Sequence, residues 1–200
     1  MLKVGLTGNI GSGKSVISGI FKALGIPVYP ADDHSKKFLS DPDVLNALKK
    51  KFGNAILDSS GNIDRKALAG FVFRDPIALE FLNHLTHPKL DKDFREWCAS
   101  FSDAPYIVME AAILIEAGFY RKFDKVIYVS CPEEIAIERV IRRDGITRES
   151  VLARLSHQMP DSEKSRYADF TIVNDGYRML IPQVIAIHQE LLKGNPYKTA

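Results

Sequence analysis

The residues Gly8-Asn9-Ile10-Gly11-Ser12-Gly13-Lys14-Ser15 carry the most explicit chemistry in this chain. They fit the spacing G-x-x-x-x-G-K-[ST], in which glycines let successive backbone N–H groups converge on an anion without Cβ obstruction. At such a loop Lys14 would neutralise β- and γ-phosphates, and Ser15 would offer its hydroxyl to Mg²⁺. The flanks suit that chemistry. Lys3-Val4-Gly5-Leu6 reads as a short apolar strand, and Val16 through Leu24 place apolar residues at helical spacing. A helix starting there adds its unpaired donors and positive dipole end to the loop. The plain alternative is a glycine-rich turn between strand and helix.

Three further sets of residues bear on what happens to a bound phosphate. Asp32 follows the second predicted strand within two residues. A carboxylate there could accept a proton from an attacking hydroxyl or touch a metal shell, but it could equally cap the next helix, as could Asp33. Glu110 stands directly after Ile107-Val108-Met109, the position from which an acid reaches Mg²⁺ in a Walker-B arrangement; it could also be an ordinary strand-end residue. Arg139, Arg142 and Arg143 crowd one helical segment, with Arg148 and Arg154 beyond it. Arg139 and Arg143 share a face, where a polyphosphate would relieve their repulsion through bidentate bonds. A solvated face paired through Glu138 and Arg142 is the alternative. The five histidines show no metal-site spacing, and structural or surface roles are expected for them.

The elements that must position these residues follow from hydropathy. Besides the first strand, Ile26–Tyr29, Tyr106–Met109, Lys125–Val129 and Phe170–Val173 are short, apolar and rich in β-branched or aromatic residues, as in a parallel sheet covered on both faces. Helical patterns between them make the class α/β with right-handed crossovers. Residues 32–104 hold amphipathic helices (Asp43–Phe52, Asp64–Val72 and Pro88–Ser100) and no convincing strand, which predicts a helical insertion. Residues 138–158 form a second departure, and Gly145 with Thr147 predicts a hinged lid there. The core then comprises 1–31, 105–137 and 159–200. Ligands of such sheets bind at the carboxyl ends of the strands, so both departures should converge there.

Composition limits the alternatives. Two hundred residues, 46% of them hydrophobic, can build a substantial core. Twenty-seven basic against 25 acidic residues give no global field for nucleic acid or anionic membrane. Cys98 and Cys131 form no framework, and free buried thiols in a reducing compartment are expected. No long apolar span or signal-peptide pattern is present, so a soluble cytoplasmic protein is expected; nothing specifies an oligomeric state. The tail Gly194–Ala200 is expected to fray.

Taken in order, these pieces resemble the dephospho-CoA kinase family. Gly5-Leu6-Thr7-Gly8-Asn9-Ile10-Gly11-Ser12-Gly13-Lys14-Ser15 is close to its opening G-L-T-G-G-I-G-S-G-K-[ST], and Val28-Tyr29-Pro30-Ala31-Asp32 sits where it has V-I-D-A-D. Asn62 through Leu68, Val72-Phe73-Arg74-Asp75 and His87-Pro88 are similar to its D/N-R-x-x-L, V-F and H-P landmarks. Glu110 through Glu116 resembles D-I-P-L-L-F-E, and Arg139 through Gly145 its R-x-x-x-R-D lid. Gln158, then Ala168-Asp169 with Asn174, match its later glutamine and A-D-x-x-I-x-N ending.

The resemblance implies a three-layer α/β/α P-loop kinase fold with a five-stranded parallel sheet, a coenzyme A-binding insertion and a lid. It implies that ATP, with Mg²⁺, phosphorylates the ribose 3′-hydroxyl of dephospho-coenzyme A. Asp32 would then be the base. Gly11, Ser12, Gly13, Lys14, Ser15 and Val16 would hold the ATP phosphates, and Asn174 would lie near the adenine. Arg139 and Arg143 would steady the transferring group, Arg65, His87 and Glu110 would belong to the acceptor side, and Ser15 with Glu110 would serve the metal. Three of the departures from the pattern bear on the metal, the acceptor or the loop after the third strand. Pro30 replaces the family's first D-A-D acid, Glu110 its Asp, and Ala112 its Pro. Two rival functions remain at this point: a kinase for another small hydroxyl acceptor such as a nucleoside or nucleotide, and a GTPase-like switch. For the switch, Asp58-Ser59-Ser60-Gly61 fits D-x-x-G, but no N-K-x-D motif follows.

Overall fold

The computed structural model describes residues 1–72 and 75–193. Five strands, β1 (Leu2–Thr7), β2 (Val28–Pro30), β3 (Tyr106–Glu110), β4 (Lys125–Ser130) and β5 (Phe170–Val173), form one parallel sheet in the order β2-β3-β1-β4-β5. The register brings Leu6 beside Glu110, Pro30 beside Glu110, Thr7 beside Tyr128 and Ser130 beside Val173. All five strands therefore end along one edge, where the glycine loop follows Thr7, Glu110 closes β3 and Asn174 follows β5.

The helices are α1 (Lys14–Ala23), α2 (Ala31–Lys37), α3 (Pro42–Phe52), α4 (Arg65–Val72), α5 (Pro76–Ala99), α6 (Glu133–Asp144), α7 (Arg148–Leu155), α8 (Asp161–Lys164) and α9 (Leu180–Lys193). The chain divides into two compact units, Met1–Pro30 with Cys98–Ala200, and Ala31–Trp97.

In the first unit, Ile17 and Phe21 of α1 and Val184, Ile187 and Leu191 of α9 pack on Val4, Leu6, Val108, Ile127, Val129 and Ile172. These strand residues alternate along their strands and so share one face of the sheet. On the other face Gly5 leaves room for Leu114 and Phe123: a Cβ on Gly5 would lie 2.4 Å from Leu114 Cδ2. In the second unit Val44, Leu48, Ile56, Leu68, Val72 and Ala78 make a separate core. Among its described residues the only β-pairing is an isolated bridge between Leu57 and Ile63.

Two expected elements have different bounds. The second strand begins at Val28, not Ile26, because the Ile26 N–H closes the end of α1 on Phe21 O (3.0 Å) and Pro27 has no N–H to give. Pro30 fits because β2 is an edge strand. The helix expected from Pro88 starts twelve residues earlier, at Pro76, and runs through Pro88. Its start is set by Asp75, whose Oδ1 accepts from Ile77 N (2.9 Å), followed by proline at the first helical position. Phe73 and Arg74, half of one family landmark, and the tail Gly194–Ala200 lie outside the described residues.

Phe21 is fully buried and meets Tyr106 edge-to-face with ring centroids 6.3 Å apart. Phe21→Ala is expected to lower unfolding free energy by about 3–5 kcal/mol, measured by urea denaturation. An unchanged midpoint would contradict this packing.

Candidate active site

The glycine loop is shaped from several sides. Gly11 and Gly13 adopt φ of 79° and 93°, where side chains are strained. Space enforces the same choice. A Cβ on Gly11 would lie 2.3 Å from Ala136 O, and one on Gly13 would lie 2.2 Å from Asn174 Nδ2. Lys14 is buried and its Nζ donates to Gly8 O (2.8 Å) and Asn9 O (3.2 Å), so its ammonium is held over the loop it belongs to. Ser12 N donates to Asn9 O (3.1 Å), and Ile10 N donates to Gln158 Oε1 (2.9 Å). α1 starts at Lys14, so the loop ends on amides that a helix cannot satisfy within its own first turn. Val16, the last residue expected of this set, is 57% exposed on α1.

Glu110 is the last residue of β3, and it meets the loop directly. Its Oε1 accepts from Ser15 Oγ (2.9 Å), and its Oε2 accepts from Ser18 Oγ (2.6 Å). Ser15 and Ser18 are three apart on α1 and share a face, a spacing from which Ser18 could have been found. A serine hydroxyl and a carboxylate side by side are hard oxygen donors suited to Mg²⁺, which usually takes one or two protein ligands with phosphate and water. Among the described residues no group of three or more His, Cys, Asp or Glu could hold a metal by itself.

On the other side of β1, the chain leaves β5 at Asn174, which is buried. Asn174 Nδ2 donates to Ser12 O (2.8 Å), and its Oδ1 accepts from Arg139 Nη2 (3.2 Å). Both ends of the amide are thus used to tie the glycine loop to α6. Arg139 Nη1 also approaches Cys131 Sγ (3.4 Å), whose thiol burial pushes above its usual range. Cys98 and Cys131 are both buried and free.

Arg143 sits differently. Its Nε and Nη2 donate to Asp144 Oδ1 (2.7 Å) and Oδ2 (3.1 Å), and Arg154 Nη1 reaches the same carboxylate at 3.2 Å. The Arg143 guanidinium holds the Asp144 carboxyl below its usual range. α6 closes on Gly145 with φ of 64°, and Thr147 caps α7 by accepting from Ser150 N (3.4 Å). The break expected at Gly145 and Thr147 is therefore present. Arg148 of α7 pairs with Glu134 through both carboxylate oxygens (2.8 and 2.7 Å), which lowers the Glu134 pKa. Ile137, Val140 and Val151 form a small core with Ile10 packed against it.

The remaining candidates belong to the second unit. α2 begins at Ala31, so Asp32 is the second residue of that helix rather than the residue ahead of it, and its side chain is exposed. Asp33 accepts from Lys36 Nζ (2.7 Å), and His34 Nδ1 meets Asp93 Oδ2 (2.7 Å). Arg65 is exposed at the start of α4, after Asp64 caps that helix by accepting from Lys66 N and Ala67 N. His87 is half-buried on α5. Asp58 of the D-x-x-G match builds a turn instead: its Oδ1 accepts from Ser60 N (2.9 Å) and Asn62 N (3.0 Å).

The chain is similar to known proteins over nearly its whole length. The family model described as dephospho-CoA kinase matches residues 2–179. A dephospho-CoA kinase of Aquifex aeolicus is 40% identical over 196 residues, which cover 96% of this chain and 99% of that one. A crystal structure of a Thermus thermophilus protein superposes with a TM-score of 0.85 at 32% identity, covering 96% of this chain and 98% of that one. The dephospho-CoA kinase of Campylobacter jejuni gives a TM-score of 0.67 at 31% identity with the same coverage. The fold is the three-layer α/β/α fold of P-loop kinases. No helix among the described residues is long and apolar enough to cross a membrane.

Gly13→Ala combines strain at φ 93° with a collision against Asn174. It is expected to weaken nucleoside triphosphate binding about tenfold or more in calorimetry, as strain of 1–3 kcal/mol would. Affinity equal to that of the unmodified chain would contradict the loop geometry.

Proposed function

We infer the function from one premise: the chain belongs to the dephospho-CoA kinase family. Its reaction is transfer of the γ-phosphoryl group of ATP to the 3′-hydroxyl of the ribose of dephospho-coenzyme A. The products are coenzyme A and ADP, and the step is the last in coenzyme A biosynthesis. The observation that carries this reading is the family match over residues 2–179, on a chain whose glycine loop, strand-end acid and arginine helix meet at one sheet edge. The buried free thiols fit a cytoplasmic setting.

Each residue role follows from the chemistry of that transfer. Little covalent work falls to the protein; positioning and charge stabilisation dominate. The backbone of Gly11 through Val16 cradles the ATP phosphates, and the Lys14 ammonium turns from the carbonyls of Gly8 and Asn9 to phosphate oxygens. Ser15 and Glu110, 2.9 Å apart, are the protein groups that would hold Mg²⁺. When bound, that ion neutralises charge on the β- and γ-phosphoryl oxygens.

Asp32 is the general base. Its carboxylate takes the 3′-hydroxyl proton as the new O–P bond forms, while the bond from the γ-phosphorus to the bridging oxygen breaks and that electron pair leaves with ADP. Arg139 steadies the charge spread over the transferring group, and Arg143 joins it on exchanging Asp144 for phosphate. Arg65 and His87, both in the Ala31–Trp97 unit, serve the acceptor side, and Asn174 fixes the loop that faces the nucleotide. Residues 138–158 act as a lid that keeps water from the phosphoryl group.

Incubation with ATP, Mg²⁺ and a panel of hydroxyl acceptors, followed by mass spectrometry, is expected to yield coenzyme A as the product. Phosphorylated nucleoside with no coenzyme A would favour the other-acceptor kinase. Asp32→Asn is expected to leave ATP affinity nearly unchanged and to cut kcat by about 10² or more. Undiminished turnover would reduce Asp32 to a residue of the first turn of α2.

A further inference from the structure

Among the described residues, the one wholly buried ammonium that touches the glycine loop from outside it belongs to Lys164, at the end of α8. Its Nζ donates to Asn9 Oδ1 (2.8 Å) and Ala112 O (3.1 Å) and pairs with Glu116 Oε1 (2.8 Å). A lysine has three N–H donors, and three acceptors meet them here. Those acceptors come from the glycine loop after β1 and from the segment after β3. Lys164 itself arrives from beyond the arginine-rich segment, so three lengths of chain distant in sequence are fastened at one atom.

The fastening is reinforced around it. Asn9 Nδ2 donates to Asp161 Oδ1 (2.6 Å) and Met159 O (3.4 Å), Met159 N donates to Glu116 Oε1 (2.9 Å), and Ile10 N donates to Gln158 Oε1 (2.9 Å). Residues 158–164 thus grip Asn9 and Ile10 through side chain and backbone alike. The carbonyl of Asn9 in turn accepts from Lys14 Nζ and from Ser12 N. Displacing Asn9 therefore moves both the ammonium that faces phosphate and the turn that presents the loop amides. A surface lysine would not do this. A buried charge removed from water is retained only where its partners are fixed, and fixed partners hold what they are attached to.

We propose that Lys164, acting through Asn9, is a positioning residue for phosphoryl transfer: it sets the glycine loop in its phosphate-binding shape and couples that shape to the end of the arginine-rich lid. The proposal rests on reading residues 8–15 as the nucleotide site, and it adds a residue that contacts neither substrate. Its effect falls on one substrate. Loss of the fastening loosens the ATP side and leaves the acceptor side as it was.

The test compares the unmodified chain with Asn9→Ala, Lys164→Met and the double variant, measuring kcat and separate KM values for ATP and dephospho-coenzyme A, with calorimetric binding of a non-hydrolysable ATP analogue. Asn9→Ala removes the link and leaves Lys164 the acceptors Ala112 O and Glu116 Oε1, a smaller change than Lys164→Met, and it decides the matter alone where Lys164→Met does not fold. Each single variant is expected to raise the ATP KM about tenfold, the scale of a lost hydrogen bond to a charged group, with the dephospho-coenzyme A KM changed less than about twofold. The double variant is expected to fall short of the sum of the two single effects, since the Lys164–Asn9 link is lost in both. Kinetics like those of the unmodified chain in Asn9→Ala, equal rises in both KM values, or additive effects in the double variant would overturn the positioning role. Failure of the unmodified chain to bind the analogue would instead remove the nucleotide reading on which the role rests.

Discussion

A helix cannot satisfy the amide groups of its own first turn, and in this chain that deficit is placed where the parallel strands end. β1 runs out at Thr7, the glycines turn the chain, and α1 begins at Lys14. The interval is short, and at two of its positions contact excludes a side chain: Ala136 O stands against Gly11, and Asn174 against Gly13. The arrangement answers the needs of a polyphosphate, with converging donors, a positive dipole end and a buried lysine. The other features of the first unit follow as supports. Asn174 braces the loop at Ser12, Gln158 at Ile10, and Glu110 holds the two serines on the first turns of α1.

Much of this was legible in the sequence, because it is local. Glycines at fixed intervals, a lysine and a hydroxyl between an apolar strand and an amphipathic helix specify their own geometry. The apolar runs of the buried strands were equally plain, and the bend at Gly145 and Thr147 follows from residues that stop one helix and cap the next. Pro88 misled because proline usually opens a helix, whereas here it lies inside one that Asp75 and Pro76 start. The strand order, which puts β1 between β3 and β4, rests on pairings between residues a hundred positions apart, and no periodicity records it.

The least legible residue was Lys164. It sits in Asp161-Ser162-Glu163-Lys164-Ser165-Arg166, a charged stretch that reads as a solvated surface, yet its ammonium is fully enclosed. Only the long-range meeting with Asn9, Ala112 and Glu116 explains it. Arg143 shows the converse. Its helical spacing with Arg139 was clear, but its engagement by Asp144 depends on a neighbouring acid that spacing alone treats as one more surface charge. Asp32 illustrates the division of the chain. It lies two residues past the end of β2, where the sheet unit gives way to the helical unit, and the base role proposed for it rests on the chemistry of the transfer.

The most direct measurement is a crystal structure of this chain with a non-hydrolysable ATP analogue and Mg²⁺. The triphosphate should lie against the backbone of residues 11–16, with Lys14 Nζ moved from the carbonyls of Gly8 and Asn9 onto phosphate oxygens. An analogue bound elsewhere, with Lys14 still on those carbonyls, would contradict the reading of this loop as the seat of phosphoryl transfer.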